Sequence, residues 1–310
     1  MKSAAAPALL GCVLALAGCG LGAGAAPSAV RLLVTRDFGA RVLDDVPRPK
    51  LAGEETVMSL LLRNDSVTTR FGGGFVQSIG GLDGGTEGSR PVDWFYYVNG
   101  IQAEKGAAET KVHPGDHIWW DRHDWSQTED VPAVVGSYPE PFLNGTGGKR
   151  LPVRVECSTD AGGACRAVTH RLQADGVPAA TSALGAGGGT AILRVLVGSW
   201  AALRADSGAA PIERGPRASG VYATFGAAGR TLTLLDPDGR GVQTLSAGAG
   251  LIAATRNGEE APVWVVTGTD PAGVQRAAAD FAEAPLHNRF ALAVGALGAV
   301  PLPDSQAPAK

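Results

Sequence analysis

Apolar residues fall along this chain in three patterns. The first is a run from Ala4 to Ala17, broken only by Pro7, Gly11 and Cys12 and preceded by one Lys2. A charged start, a short apolar core and small residues before Cys19 are the parts of an export signal. The run is short for a bilayer-spanning helix. The second pattern, over 30–145, is mostly alternation. Arg31 to Arg36 reads as a strand, and Glu54 to Arg63 as a helix with Val57, Leu60 and Leu61 on one face. Short strands follow at Val67–Phe71 and Phe75–Ile79, separated by Gly72-Gly73-Gly74. The aromatic run from Asp93 to Val98 then meets Asn99-Gly100, a pair that tolerates the positive φ of a type I′ hairpin turn. A second turn, Pro114-Gly115-Asp116, launches a strand from His117 to Asp121. One helix laid on a small, mostly antiparallel sheet predicts an α+β domain of β-grasp type.

The third pattern, over 150–300, repeats. Val153–Ala167 aligns without gaps to Val263–Ala277, with Val, Val, Thr, Asp, Gly, Arg and Ala coinciding. Each copy reads as a β-branched strand, then Thr-Asp, then an amphipathic helix. Asp160 and Asp270 are placed as N-caps, and Pro271 suits the first helical position. A third strand, Ile192 to Val197, runs towards a helix capped by Ser199. A hairpin is expected from Gly220–Phe225 and Arg230–Leu235, and Phe290–Val294 is expected to be the last strand. Strands alternating with helices predict a layered α/β domain with βαβ units and right-handed crossovers. The glycine loop Ser246–Leu251, expected to precede a short helix, lacks the lysine of a phosphate loop and is read as tight helix packing. Between the two domains, Val131–Phe142 carries prolines that forbid helix, yet is too apolar for a free linker. It reads as an ordered strap, with the boundary at 144–148. Residues 1–19 are the signal, 20–29 a tether, and 301–310 a disordered tail.

Composition narrows the partners. A net charge of −3 with 18% charged residues gives no basic surface for nucleic acid. Of four cysteines, Cys12 leaves with the signal. Cys157 and Cys165 form a disulfide, the default for such a pair outside the cytoplasm.

The candidate chemistry lies in the aromatic strands. Alternation puts Ile118 and Trp120 on one face of the sheet, and His117, Trp119 and Asp121 on the other. Trp94 and Tyr96 separate from Phe95 and Tyr97 in the same way. A sheet covered by one helix needs only one apolar face, yet both carry aromatics. Two readings stay open. The second face is a stacking platform, with Phe95, Tyr97, His117, Trp119, Asp121 and His123 as ligand-binding residues, or it packs against 150–300. His117, Asp121 and His123 on one face could serve a metal or a corrin cobalt, but no fourth ligand is evident and no metal site is assigned. Asp93, Asp116, Asp121, Asp124 and Asp130 crowd the aromatics as glycosidase carboxylates do, but their places in turns and strand ends are ordinary. With no nucleophile elbow or zinc-peptidase helix either, no catalytic residues are assigned.

Two resemblances add to this. Leu16-Ala17-Gly18-Cys19 resembles the lipobox of bacterial lipoproteins, which implies lipidation of Cys19 and anchorage outside the cytoplasm to the bacterial cell membrane. Trp94-Phe95-Tyr96-Tyr97-Val98-Asn99-Gly100, Gly106 and Pro114–Trp120 resemble a bacterial domain family of unknown function, over residues 30–125. That family is related to the C-terminal β domain of transcobalamin and intrinsic factor. The resemblance implies a ligand-binding module that captures cobalamin, or a similar large ligand, for uptake beside a membrane transporter. No cofactor is required; a corrinoid would be the ligand. The alternative readings are a structural or protein-interaction lipoprotein and an envelope carbohydrate-binding or carbohydrate-active protein.

Overall fold

In the computed structural model the described residues are Met1, 29–186 and 191–305. Residues 2–28, which hold the export signal after Met1, Cys19 and all but the end of the tether, lie outside them. The first half begins with strands β1 (Arg31–Arg36) and β2 (Arg41–Val46) and helix α1 (Val57–Asn64). Thr56 caps the helix by accepting from the Ser59 N–H, so the helix starts three residues later than the apolar pattern suggested. Strands β3 (Val67–Arg70), β4 (Phe75–Ile79) and β5 (Leu82–Asp83) make a small sheet of their own. Then come β6 (Gly85–Glu87), β7 (Arg90–Val98), β8 (Ile101–Gln102) and β9 (His117–Asp124). The main sheet runs β2-β1-β9-β7-β6, with β8 beside β7. β1 and β9 pair in parallel at its centre, and the other pairings are antiparallel. One face of the sheet carries Leu32, Trp94, Tyr96, Ile118 and Trp120 against Leu60 and Leu61 of α1. Asn99 and Gly100 take φ of 54° and 77°, as the hairpin required.

The second half starts with β10 (Val153–Cys157), α2 (Gly162–Ala174), β11 (Ala179–Ala183), β12 (Leu193–Ser199) and α3 (Trp200–Leu203). It continues with α4 (Pro216–Ser219), β13 (Ala223–Phe225), β14 (Leu232–Leu235), β15 (Gly241–Leu245) and β16 (Gly250–Thr255). β17 (Val263–Gly268), α5 (Pro271–Ala279), α6 (Glu283–Leu286), β18 (Ala291–Gly295) and β19 (Gly298–Leu302) complete it. The large sheet runs β11-β10-β12-β17-β16-β18-β19, parallel from β11 to β17 and antiparallel beyond. The two repeat copies form equivalent units, β10–α2 and β17–α5, in this sheet. The chain is thus α+β in its first half and layered α/β in its second. Cys157 at the end of β10 is bonded to Cys165 in α2.

Three local expectations need correction. Asp160 is not the cap of α2: the helix starts after Ala161, and Asp160 instead accepts from the Ser158 hydroxyl. Asp270 does cap α5, accepting from the Gly273 N–H at 2.9 Å. The glycine loop 246–251 leads into strand β16, not a helix. A Cβ at Gly250 would lie 2.5 Å from the Gly273 carbonyl oxygen, so its bareness lets α5 close on the sheet. The tail expected to be disordered from Pro301 is in place as far as Ser305. Pro301 and Leu302 finish β19, where an edge position tolerates proline, and Asp304 is buried.

The strap joins the halves. Its Val131 and Val134 belong to a core cluster that also holds Leu33, Tyr97 and Trp119 of the first half and Leu196, Tyr222, Leu251 and Phe290 of the second. Its Val135, Tyr138 and Phe142 pack on the opposite side of the large sheet, with Trp264 and Phe281. Tyr138 is tied down by its hydroxyl, which donates to Asp175 at 2.6 Å.

Candidate binding site

Strand register assembles the six aromatic-face residues as alternation predicted. Phe95 lies opposite Asp121, Tyr97 opposite Trp119, and Asp93 opposite His123. From the parallel side, Arg31, Leu33 and Thr35 of β1 meet His117, Trp119 and Asp121. The face is not open. Tyr97, Trp119 and Asp121 are 0% exposed, His123 2% and His117 6%; only Phe95 is partly accessible. The second half covers it. Phe290 stands edge-on to Tyr97, Trp119 and His123, at ring separations of 5.6, 5.3 and 5.4 Å. Phe38, from the β1–β2 turn, stacks on His123 at 4.6 Å, and Phe95 stacks on the same ring at 4.5 Å. Of the two readings of this face, the packing one describes the structure: it presents no open platform for a flat ligand.

Its polar groups serve the seam. Asp121 accepts from the Phe38 and Gly39 N–H groups at 3.1 and 2.9 Å, from the Thr35 hydroxyl, and from His123 Nδ1 at 2.8 Å. Asp37 and Phe38 hold φ of 60° and 58°, the left-handed turn that aims both N–H groups at the carboxylate. Trp119 donates its indole N–H to Thr35 at 2.7 Å. A carboxylate on histidine Nδ1 is the arrangement that orients a general base. Here the other nitrogen, Nε2, is buried without a hydrogen-bond partner among the described residues, so no nucleophile is brought to it. His117 lies at the far end of the strand, and burial, with Arg31 and His287 nearby, pushes its imidazole down to about 3. It is neutral at physiological pH. No three His, Cys, Asp or Glu side chains among the described residues converge as a metal site.

Open space lies beside the covered face. A cleft of about 490 Å³ is walled by Val98, Ile101 and Lys105 from the first half and by Lys149, Leu151 and Pro262 from the second. A neighbouring cleft of about 530 Å³ begins at Phe95 and is lined by Asp130, Pro132 and Arg217. Gln102, Ala103, Glu104 and Arg256 line both. Arg256 donates across the seam to Glu104 at 2.6 Å and to the Glu260 carbonyl at 2.7 Å, forming the divide between the two clefts. The first cleft is thus lined by apolar side chains and by charges of both signs.

Several of these residues carry no sequence signal for a site. Arg256 and Glu104 are single charges in turns, and only the docking of the halves makes them neighbours. Asn99 had a signal, but for its backbone alone. Its buried side chain also donates to Asp116 and to the Gly145 carbonyl, both at 2.8 Å, and accepts from the His117 N–H at 2.8 Å. It therefore pins the hairpin to the end of the strap. Glu140, in the strap, accepts from the backbone and side chain of Asn144, and burial pushes its carboxyl up to about 7.

Residues 54–124 match a family model described as "Domain of unknown function (DUF4430)". The match runs from just before α1 to the last residue of β9. It leaves out β1 and β2, although β1 pairs with β9 along its whole length. No curated protein matches the chain.

Proposed function

We propose that this chain is an exported, lipid-anchored protein that captures a small molecule in the cleft between its halves and presents it for uptake. The observation that carries the proposal is the cleft itself. Its size suits a small-molecule site, both halves wall it, and its lining combines apolar side chains with charged groups at an interface. The sequence from Lys2 to Cys19 supports export and anchorage through Cys19. The parallel strand pair at the centre of the first sheet supports kinship with the transcobalamin C-terminal β domain. Corrinoid capture has less behind it. His117 and His123, the groups suited to an axial cobalt bond, are closed inside the protein, and about 490 Å³ suits a ligand smaller than cobalamin. A second reading, a structural or interaction lipoprotein, is favoured by one observation: the aromatic face is occupied by internal packing.

The test is a thermal-shift screen of small metabolites and hydroxocobalamin on the full chain and on Ala261→Trp, which fills the first cleft. The proposal expects at least one compound that raises the unfolding temperature of the wild type and not of the variant. If every stabilising compound acts equally on both, the cleft is not the site. If hydroxocobalamin binds the variant with a spectral change, the corrinoid reading regains its force at another place.

A further inference from the structure

Most large apolar side chains in the first half are covered, but the β3–β4 turn displays two. Phe71 is 86% exposed and Phe75 37%, with their rings edge-to-face at 6.2 Å. Phe71 has φ of 52°, a left-handed conformation that an aromatic residue rarely adopts. Gly72 and Gly73 follow at φ of 73° and 96° and have open space around them. Arg70 is exposed beside Phe71; its charge acts on Asp93, without a close ion pair among the described residues. The segment 66–77 contains no acidic residue. At the base of the tip a Cβ on Gly106 would lie 3.9 Å from the Gly74 carbonyl oxygen, which brings the exposed Lys105 into the same region.

Two rings at one turn are far too small a patch for a stable protein interface. They do match what an interfacial membrane contact needs: aromatic side chains that enter the headgroup and acyl boundary, and cations that meet lipid phosphates. The twelve residue steps from Cys19 to Arg31 reach at most about 40 Å, so a lipidated Cys19 keeps the body within about a domain's breadth of a bilayer. We propose that the Arg70–Phe75 tip is a second membrane contact, inserting Phe71 and Phe75 into an anionic lipid surface and fixing how the body faces the bilayer. The proposal rests on the export-and-anchor reading only for bringing the body to that surface.

The experiment places an indole at the tip. Of the native tryptophans, Trp94, Trp119, Trp120, Trp200 and Trp264 are buried, so the difference between Phe71→Trp and wild type reports the tip. The full chain is reconstituted with vesicles of zwitterionic and anionic phospholipid carrying brominated acyl chains, and flotation is recorded alongside fluorescence. The tip contact predicts a blue shift of the added emission, quenching by the bromine, and loss of acrylamide quenching relative to vesicle-free protein. If the chain floats but the added indole stays in water and open to acrylamide, the tip contact is overturned and the anchor stands. If the chain does not float, both are overturned.

Discussion

Asp121 accepts from four donors inside the protein, two of them backbone N–H groups held by a left-handed turn. Asp121→Asn turns one acceptor atom towards those donors as another donor. Urea unfolding is expected to show a loss of about 3 kcal/mol. A surface ligand group would show almost none. Two buried titrating groups make opposite demands on pH. His117 falls from its ordinary 6.5 to about 3 on folding, so its contribution is complete above pH 6.5 and drains as pH falls towards 3. Glu140 rises from 4.5 to about 7, so its contribution is present below pH 4.5 and is lost as pH rises through 7. The two partly cancel where those ranges overlap, and each is read as a difference. Relative to His117→Gln, the wild type should lose stability from pH 7 to 4; relative to Glu140→Gln, it should lose stability from pH 5 to 8. Flat differences would show that neither proton is linked to folding.

At the scale of elements, strand period and turn chemistry made much of the fold legible. Alternation sorted β7 and β9 into their two faces, because a strand in a register has no other choice. The prolines and apolar residues of 131–142 marked an ordered strap for the same kind of local reason. What escaped was set by pairing across the chain. β15 has no buried position, and its pattern, exposed at Gly241, Gln243 and Thr244, carries no strand signal until β14 pairs with it. β19 contains Pro301 and became a strand only because an edge was free. The identity of the cover over the aromatic face was hidden most completely, since Phe290 lies in a stretch that is itself an ordinary buried strand start. The β10–α2 unit was legible in its disulfide, though not in its helix cap; the bridge closes a loop across a sequence separation of 8. Replacing Cys157 and Cys165 by serine should lower stability by about 2–3 kcal/mol in denaturant titration. A wild-type value with the double variant would mean that the bridge adds nothing.

At the scale of the whole molecule, two halves of different architecture share one core. A single core cluster takes side chains from β1, β7, β9, the strap, α3, the β13–β15 sheet and the large sheet. Phe290 touches the aromatic rings of four first-half residues, Phe38, Tyr97, Trp119 and His123. Phe290→Ala should therefore cost about 3–5 kcal/mol while calorimetry still shows one transition. Two separated transitions would mean that the first half holds its own core without the second. The most direct measurement is native-state hydrogen exchange of the amides in β9 and β16, which lie on opposite sides of the seam. If the aromatic face is the inner wall of a shared core, both strands exchange only through the same global opening, with equal free energies and equal dependence on denaturant. If β9 exchanges through a cheaper opening that leaves β16 protected, the seam is a loose contact, the aromatic face becomes reachable, and a ligand platform on it returns.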